Sequence, residues 1–441
     1  MAGAQGNILN SLGKLTELRK RFLFTIGALF VFRLGSFIPV PGVNPEAMTR
    51  LIQQGGGLLN LFNMFSGGAL ARYSLFALGV MPYISASIVV QMLGSILPSW
   101  QQMRKEGQSG QRTMTKYTRW GTVGLAIFQS FGVAFALQKH SVSGGLAVVY
   151  SPGFGFIFAS VVGLTAGTMF LMWLGEQVTE RGIGNGISLI IFAGIVAGLP
   201  SALAQTLSMA QSGELSIPKV MIVIALVVLV TAFVVFMESA QRRIPVNYAR
   251  RQGGSSAYQN QTSHLPLKIN MSGVIPPIFA SSLIMFPATA ATWFSSAQHL
   301  SWLQTLTTAL SPGELVYDIV FAGLIILFAF FYTAIVFNAP ETADNLKRSG
   351  ALIPGIRPGR ATSEYIDGVL TRLTGVGALY LALVCLVPTF LQSAWHVPFY
   401  FGGTSLLIVV VVVMDLYAQV QAHLVSHQYD SLLKKANLRR R

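Results

Sequence analysis

Residues 218–237 read PKVMIVIALVVLVTAFVVFM, and the next basic residues are the pair Arg242-Arg243. A run of about 20 mostly apolar residues is what a helix needs to cross the hydrocarbon core of a bilayer. Working outward from this run, nine more fall near 22–40, 73–97, 118–138, 154–174, 183–200, 271–293, 316–337, 372–390 and 399–419. The gaps between them alternate in charge. Of thirty Lys and Arg residues, all but Arg33, Arg50, Arg72, Lys139 and Lys219 lie in every second gap. Basic loops are retained on the cytoplasmic side. The sorting therefore predicts a polytopic inner-membrane protein with ten spans and both basic ends in the cytoplasm.

The composition agrees: mean hydropathy is +0.58, hydrophobic residues make up 52% and charged residues 10%. The first run is too long for a signal-peptide core and has no small-residue cleavage site after it, so it is expected to be an uncleaved anchor. The single cysteine, Cys385, lies within a span, which excludes an intramolecular disulfide and suggests a core thiol.

Enzyme signatures are missing. No H-E-x-x-H or G-x-x-x-x-G-K-[ST] occurs. His423 and His427 have helical spacing without the glutamate. Gly107-Gln-Ser-Gly110 resembles a serine-protease motif but sits in a basic loop, so an intramembrane protease lacks its dyad. The spans hold almost no ionisable residue: Arg33 is deep, while Asp318 and Asp415 lie near span ends. Ion- and proton-coupled transporters normally carry such groups. This weighs against the alternative reading, an inverted-repeat secondary solute transporter. No cofactor or metal is expected.

Five spans precede the polar stretch 201–217 and five follow it, giving an N-terminal half 1–200, a hinge loop and a C-terminal half 218–441. An odd number per half inverts the second half, the geometry of an inverted repeat around a midplane path. Ten spans without internal symmetry is the competing arrangement. Leu58–Ser66 is apolar but only half a bilayer long, with glycines at 55–57 and 67–68 on either side. Either a re-entrant half-helix or a helix lying on the outer surface satisfies that pattern. Two long basic loops, 238–270 and 338–370, on a chain of net charge +15, point to a large acidic partner such as ribosomal RNA.

Several longer motifs are specific. Phe62-Asn-Met-Phe-Ser-Gly-Gly-Ala-Leu70, Met81-Pro-Tyr-Ile-Ser-Ala-Ser-Ile88 and Trp173-Leu-Gly-Glu-Gln-Val-Thr-Glu-Arg-Gly-Ile-Gly-Asn-Gly-Ile-Ser188 resemble the bacterial SecY family. So do Ala343-Asp-Asn-Leu-Lys347, Gly355-Ile-Arg-Pro-Gly359 and Pro398-Phe-Tyr-Phe-Gly-Gly-Thr-Ser405. The likeness covers nearly the whole chain, and its spacing fits the gammaproteobacterial type.

The resemblance implies an all-α membrane protein whose two five-helix halves close around an hourglass pore in a passive, protein-conducting channel. It implies a plug at about 58–70, including Leu61, Phe62, Asn63, Met64, Phe65, Ser66, Gly67 and Gly68. It implies a waist of Ile84, Ile88, Ile187, Ile191, Ile278 and Ile408. Aliphatic side chains hold water poorly in a constriction and gate by dewetting. A lateral gate is implied between spans two and seven, where Ser85, Ser87, Gln91 and Asn270 lie. Interhelical hydrogen bonds worth about 0.6 kcal/mol each would let a signal sequence replace them.

The basic loops resemble docking prongs for the ribosome or the SecA motor ATPase, through Arg242, Arg243, Arg250, Arg251, Lys347, Arg348 and Arg357. SecE-like and SecG-like subunits, YidC, SecDF, signal sequences, nascent chains and membrane lipids are the other implied partners. Two departures stand out. Gly253-Gly-Ser-Ser256 replaces an expected Arg-Arg pair, and Asn338-Ala-Pro-Glu341 carries its proline one place late.

Overall fold

A computed structural model describes residues 16–54, 62–139, 141–142, 146–212, 217–248, 263–294, 309, 314–395 and 403–438. Its helices are α1 Thr16–Gly35, α2 Pro45–Gln54, α3 Met81–Ile96, α4 Pro98–Lys105, α5 Gln108–Lys139, α6 Phe154–Arg181 and α7 Gly186–Gln211. There follow α8 Ile217–Ser239, α9 Ile275–Phe294, α10 Leu315–Val336, α11 Ala339–Arg348, α12 Arg360–Trp395 and α13 Gly403–Leu438. Strands β1 Ser141–Val142 and β2 Leu146–Ala147 pair with each other, and β3 Gln241–Tyr248, β4 Ser263–Lys268 and β5 Ala351–Leu352 form a second sheet.

Ten of these helices have sixteen residues or more, one on each expected apolar run. Among the described residues, seven helices are long and apolar enough to cross a membrane, and eight if the bent pair α3–α4 counts as one span.

The packing groups the helices in two sets. In the first, α3 packs on α5 and α6, α5 on α6, α6 on α7, and α1 on both α6 and α7. In the second, α9 packs on α10 and α12, α10 on α12, α12 on α13, and α8 on α13. The sets meet along two seams: α9 against α3 and α5 on one side, and α7 against α8 and α13 on the other. One apolar cluster fills the space between, drawing Phe65, Ile88, Ile191 and Leu189 from the first set and Ile278, Leu381 and Leu407 from the second.

Close backbone approach sets some of these contacts. A Cβ added at Gly167 of α6 would land on the carbonyl oxygen of Leu75. Backbone cannot give way as a side-chain tip can. We expect Gly167→Ala to cost about 3 kcal/mol or more, in the class of severe core overpacking. Gly124→Ala, with open space around it, should be neutral or slightly stabilising. Unfolding temperatures and accumulation in membranes of the two variants check this, and equal behaviour would refute it.

Three expectations are corrected, and a fourth is covered only in part by the described residues. The second span does not begin at residue 73. Residues 66–80 form a chain of tight turns, with Gly67, Gly68, Tyr73 and Gly79 at positive φ, and the helix starts at Met81 with Pro82 in its first turn. That span also bends by 103° at Leu97, whose extended backbone is what the following Pro98 demands. The hinge loop 201–217 is helical as far as Gln211, because SALAQTLSMAQ is rich in helix formers and continues α7 past Pro200. The half-helix at Leu58–Ser66 is helical over 62–65 in the described residues, and 55–61 lie outside them.

The two basic loops also hold strands. The β3–β4 hairpin pairs Gln241 with Lys268 through to Val246 with Ser263, and β5 adds to the other edge of β3. Alternation along β3 buries Ile244 and Val246 beside Leu267, Ala351 and Ile366 while Arg243, Pro245 and Asn247 face outward, and Arg242 is exposed near the strand's start.

Candidate functional site

The described part of the segment expected to be the plug, residues 62–70, sits inside the fold. Asn63 organises it: its carbonyl oxygen accepts from the Gly68 N–H at 2.8 Å and from Ser66 Oγ at 3.0 Å, and its Oδ1 accepts from the Ala71 N–H at 2.9 Å. Ser66 Oγ accepts in turn from the Leu70 N–H at 3.2 Å. Phe65, Ser66, Ala69 and Leu70 are buried. A Cβ at Gly67 would stand 2.9 Å from the Cα of Gly194 in α7, so the segment is pressed against a spanning helix. That burial favours the re-entrant arrangement over an interfacial helix. Arg33, the one deep charge of the sequence, donates from Nη1 to the Gly67 carbonyl at 2.8 Å. Leu61 lies outside the described residues.

The isoleucines share one apolar cluster. Ile84 and Ile88 sit one turn apart on α3, Ile187 and Ile191 one turn apart on α7, with Ile278 on α9 and Ile408 on α13. Five are buried within one apolar cluster and Ile187 packs against it, half-buried. Phe65 and Ala69 of the plug belong to the same cluster. Four helices from both packing sets thus contribute isoleucines to the cluster that also holds Phe65 and Ala69.

The polar residues of the expected gate are not brought into one seam. Gln91 donates to Ser87 Oγ at 3.0 Å within α3. Asn270 donates to Glu238 Oε1 at the end of α8, at 2.6 Å, and accepts from Ser272 Oγ. Ser85 is half-buried on α3. The polar contact across the α3–α9 seam is a different one, Ser282 Oγ to Met81 Sδ at 3.8 Å. The reason is position: Asn270 precedes α9 by a turn and faces α8, while Ser85 and Gln91 lie further along α3.

Two bridges between the packing sets were not foreseen. Arg104 Nη2 donates to the Ile335 carbonyl, tying α4 to α10. The Gly184 N–H donates to Gln419 Oε1 at 2.7 Å, tying the α6–α7 turn to α13. A basic loop residue and a tail glutamine carry no motif that would have marked them.

Comparison with known proteins supplies the family. The SecY family model matches residues 74–417. Protein translocase subunit SecY of Escherichia coli K12 is 59% identical over 428 residues, covering 97% of this chain and 96% of that protein. The SecY subunit of Pseudomonas aeruginosa is 56% identical over 430 residues, with 97% and 96% covered. The chain belongs to the SecY family. Its fold is that of solved SecY-type channels: a protein conducting channel matches with TM-score 0.68 at 18% identity, covering 95% of this chain and 97% of that one. Sec61 in the canine ribosome-channel complex matches with TM-score 0.65 at 17% identity, with 95% and 97% covered. A SecY-family chain with this many apolar helices is a multi-pass membrane protein.

The remaining SecY-family residues lie at one end of the fold. Arg242 and Arg243 are exposed on β3, Lys347 and Arg348 on the last turn of α11, and Arg357 on the turn before α12. The sheet joins the two loops into a single body packed on α11 and α12. Asn338 caps α11, its Oδ1 accepting from the Glu341 N–H at 3.4 Å, with Pro340 in the first turn. The displaced proline is accommodated there without breaking the helix. Arg250, Arg251 and Gly253–Ser256 lie outside the described residues.

Proposed function

We propose that this chain is the central, channel-forming subunit that moves unfolded polypeptide across the bacterial inner membrane and releases hydrophobic segments sideways into lipid. The observation that carries this reading is that five of the six isoleucines, from four helices of both packing sets, lie buried in the same apolar cluster as Phe65, with Ile187 packed against it. A ring of aliphatic side chains excludes water when empty and has no polar preference that would select one passing sequence over another. The two packing sets are the halves of the clamp, related as an inverted repeat, with both chain ends in the cytoplasm. The seam of α3 with α9 is the lateral exit. A solute carrier would need a charged or polar midplane site, and the apolar runs carry Arg33 as their one deep charge.

A photo-crosslinker at Ile88 and at Ile191, in membranes engaged with a stalled secretory chain, tests this. Adducts to the stalled chain are expected at both positions. Adducts confined to outer helix faces such as Val228 or Phe236 would remove the pore assignment.

The exposed cations on the sheet, α11 and the α12 turn form the docking face for an acidic ribosomal surface or for the SecA motor. SecE-like and SecG-like subunits brace and flank the clamp. Arg357→Glu should lower motor-driven export about tenfold, as loss of a desolvated charge contact does, and spare co-translational insertion. Parallel export and insertion assays decide. Equal loss of both would mean general destabilisation.

A further inference from the structure

Behind the plug lies a cavity of about 130 Å³, lined by Arg33, Asn63, Gly67, Arg72, Gly194 and Gly198 among others. Among the described residues no carboxylate lines it. Two guanidinium groups reach it. Arg33 and Arg72 stand over the same ring, Phe37, with their central carbons 5.0 Å and 4.0 Å from its centroid. Arg33 spends one donor on the Gly67 carbonyl. Arg72 Nη1 is enclosed and meets no hydrogen-bond acceptor among the described residues.

This arrangement is costly as it stands. Each guanidinium carries five donors and a permanent charge. Two like charges share a partly enclosed space in which, among the described residues, the Gly67 carbonyl accepts from Arg33, and like charges held together without a counter-ion are disfavoured. A tetrahedral oxyanion would take donors from both groups and neutralise both, the geometry for which arginine is best suited. We propose that this cavity binds a phosphate group, free or carried by an anionic lipid headgroup, and that its occupant braces the plug in its seat. The plug connection follows from the lining: one wall is Asn63 to Gly68, the other is α7 from Gly194 to Ala202. An anion bridging Arg33 and Arg72 ties α1 to the turns that follow the plug.

The test uses the full-length chain in nanodiscs of zwitterionic lipid, titrated with inorganic phosphate against chloride at matched ionic strength. Readouts are the phosphorus NMR line width of the added phosphate and the unfolding temperature, which rises when a ligand binds only the native state. Saturable broadening with a rise in unfolding temperature is expected for the wild-type chain. Arg72→Gln should weaken the apparent affinity about tenfold or more, equivalent to about 1.4 kcal/mol, and Arg72→Lys should fall between them. Arg33→Gln serves as a second variant if Arg72→Gln proves unstable. Discs containing phosphatidylglycerol separate the two sources. A phosphate response unchanged by that lipid assigns a free oxyanion. A response abolished by it, together with a higher unfolding temperature in wild type but not in Arg72→Gln, assigns the headgroup. Identical behaviour of the wild type and both variants in both kinds of disc would overturn the site.

Discussion

Ile191→Ser should raise resting ion conductance about tenfold, the effect of lowering a dewetting barrier by about 1.4 kcal/mol. Ile191 is 2% exposed, stands one turn from Ile187 on α7, and shares its cluster with Phe65 of the plug and Ile408 of α13. A hydroxyl there offers water a partner where the aliphatic ring offers none, and the smaller side chain widens the constriction. Ile408→Ser, fully buried on the opposite packing set, should act in the same direction, and the pair should exceed either alone because both line one space. Conductance across planar bilayers holding the purified channel measures this. Leak and export both unchanged would mean that these isoleucines are ordinary core. The same substitution on the outward face of α8, at Val228 (63% exposed), is the control that should not leak.

Arg33→Gln should unseat the plug. A hydrogen bond to a charged group contributes about 1.5–3 kcal/mol, so its loss shifts the plug's equilibrium roughly ten- to hundredfold toward the open side. Glutamine is shorter, carries no charge and does not reach the Gly67 carbonyl in the same geometry. Ser66 is buried at 2% exposure, and the chain's natural cysteine, Cys385, is buried at 1%. A cysteine placed at Ser66 therefore reports plug opening against a silent background. Its labelling rate with a membrane-impermeant maleimide should rise in the Arg33→Gln background. An unchanged rate would show that the glycine contact with α7, and not the arginine, holds the plug.

Much of the architecture could be read from residue order. Each of the ten apolar runs became a helix of sixteen residues or more, because apolar length is a local property. Arg33 was conspicuous as a lone deep charge, and its partner proved to be a carbonyl. The isoleucine ring was different. Those side chains look like any others in an apolar helix, and only likeness to a known family singled them out. The polar residues expected at the gate show no such convergence: Gln91 bonds Ser87 within α3 and Asn270 bonds Glu238 at the end of α8. The strands in the two basic loops went unseen because β5 is two residues long and pairs with β3 about a hundred positions earlier.

Hydropathy, the sorting of Lys and Arg, and glycine and proline placement determined that this protein spans a membrane many times and where most spans lie. Those signals act over one helix or one loop, where the cost of leaving backbone or charge in lipid is decided locally. What lies across a seam was decided only in three dimensions: which isoleucines share a cluster, that Gly67 meets Gly194, that Arg33 and Arg72 converge on Phe37, and that Arg104 reaches Ile335. Each depends on how helices pack, and packing is settled by shape between segments far apart in sequence.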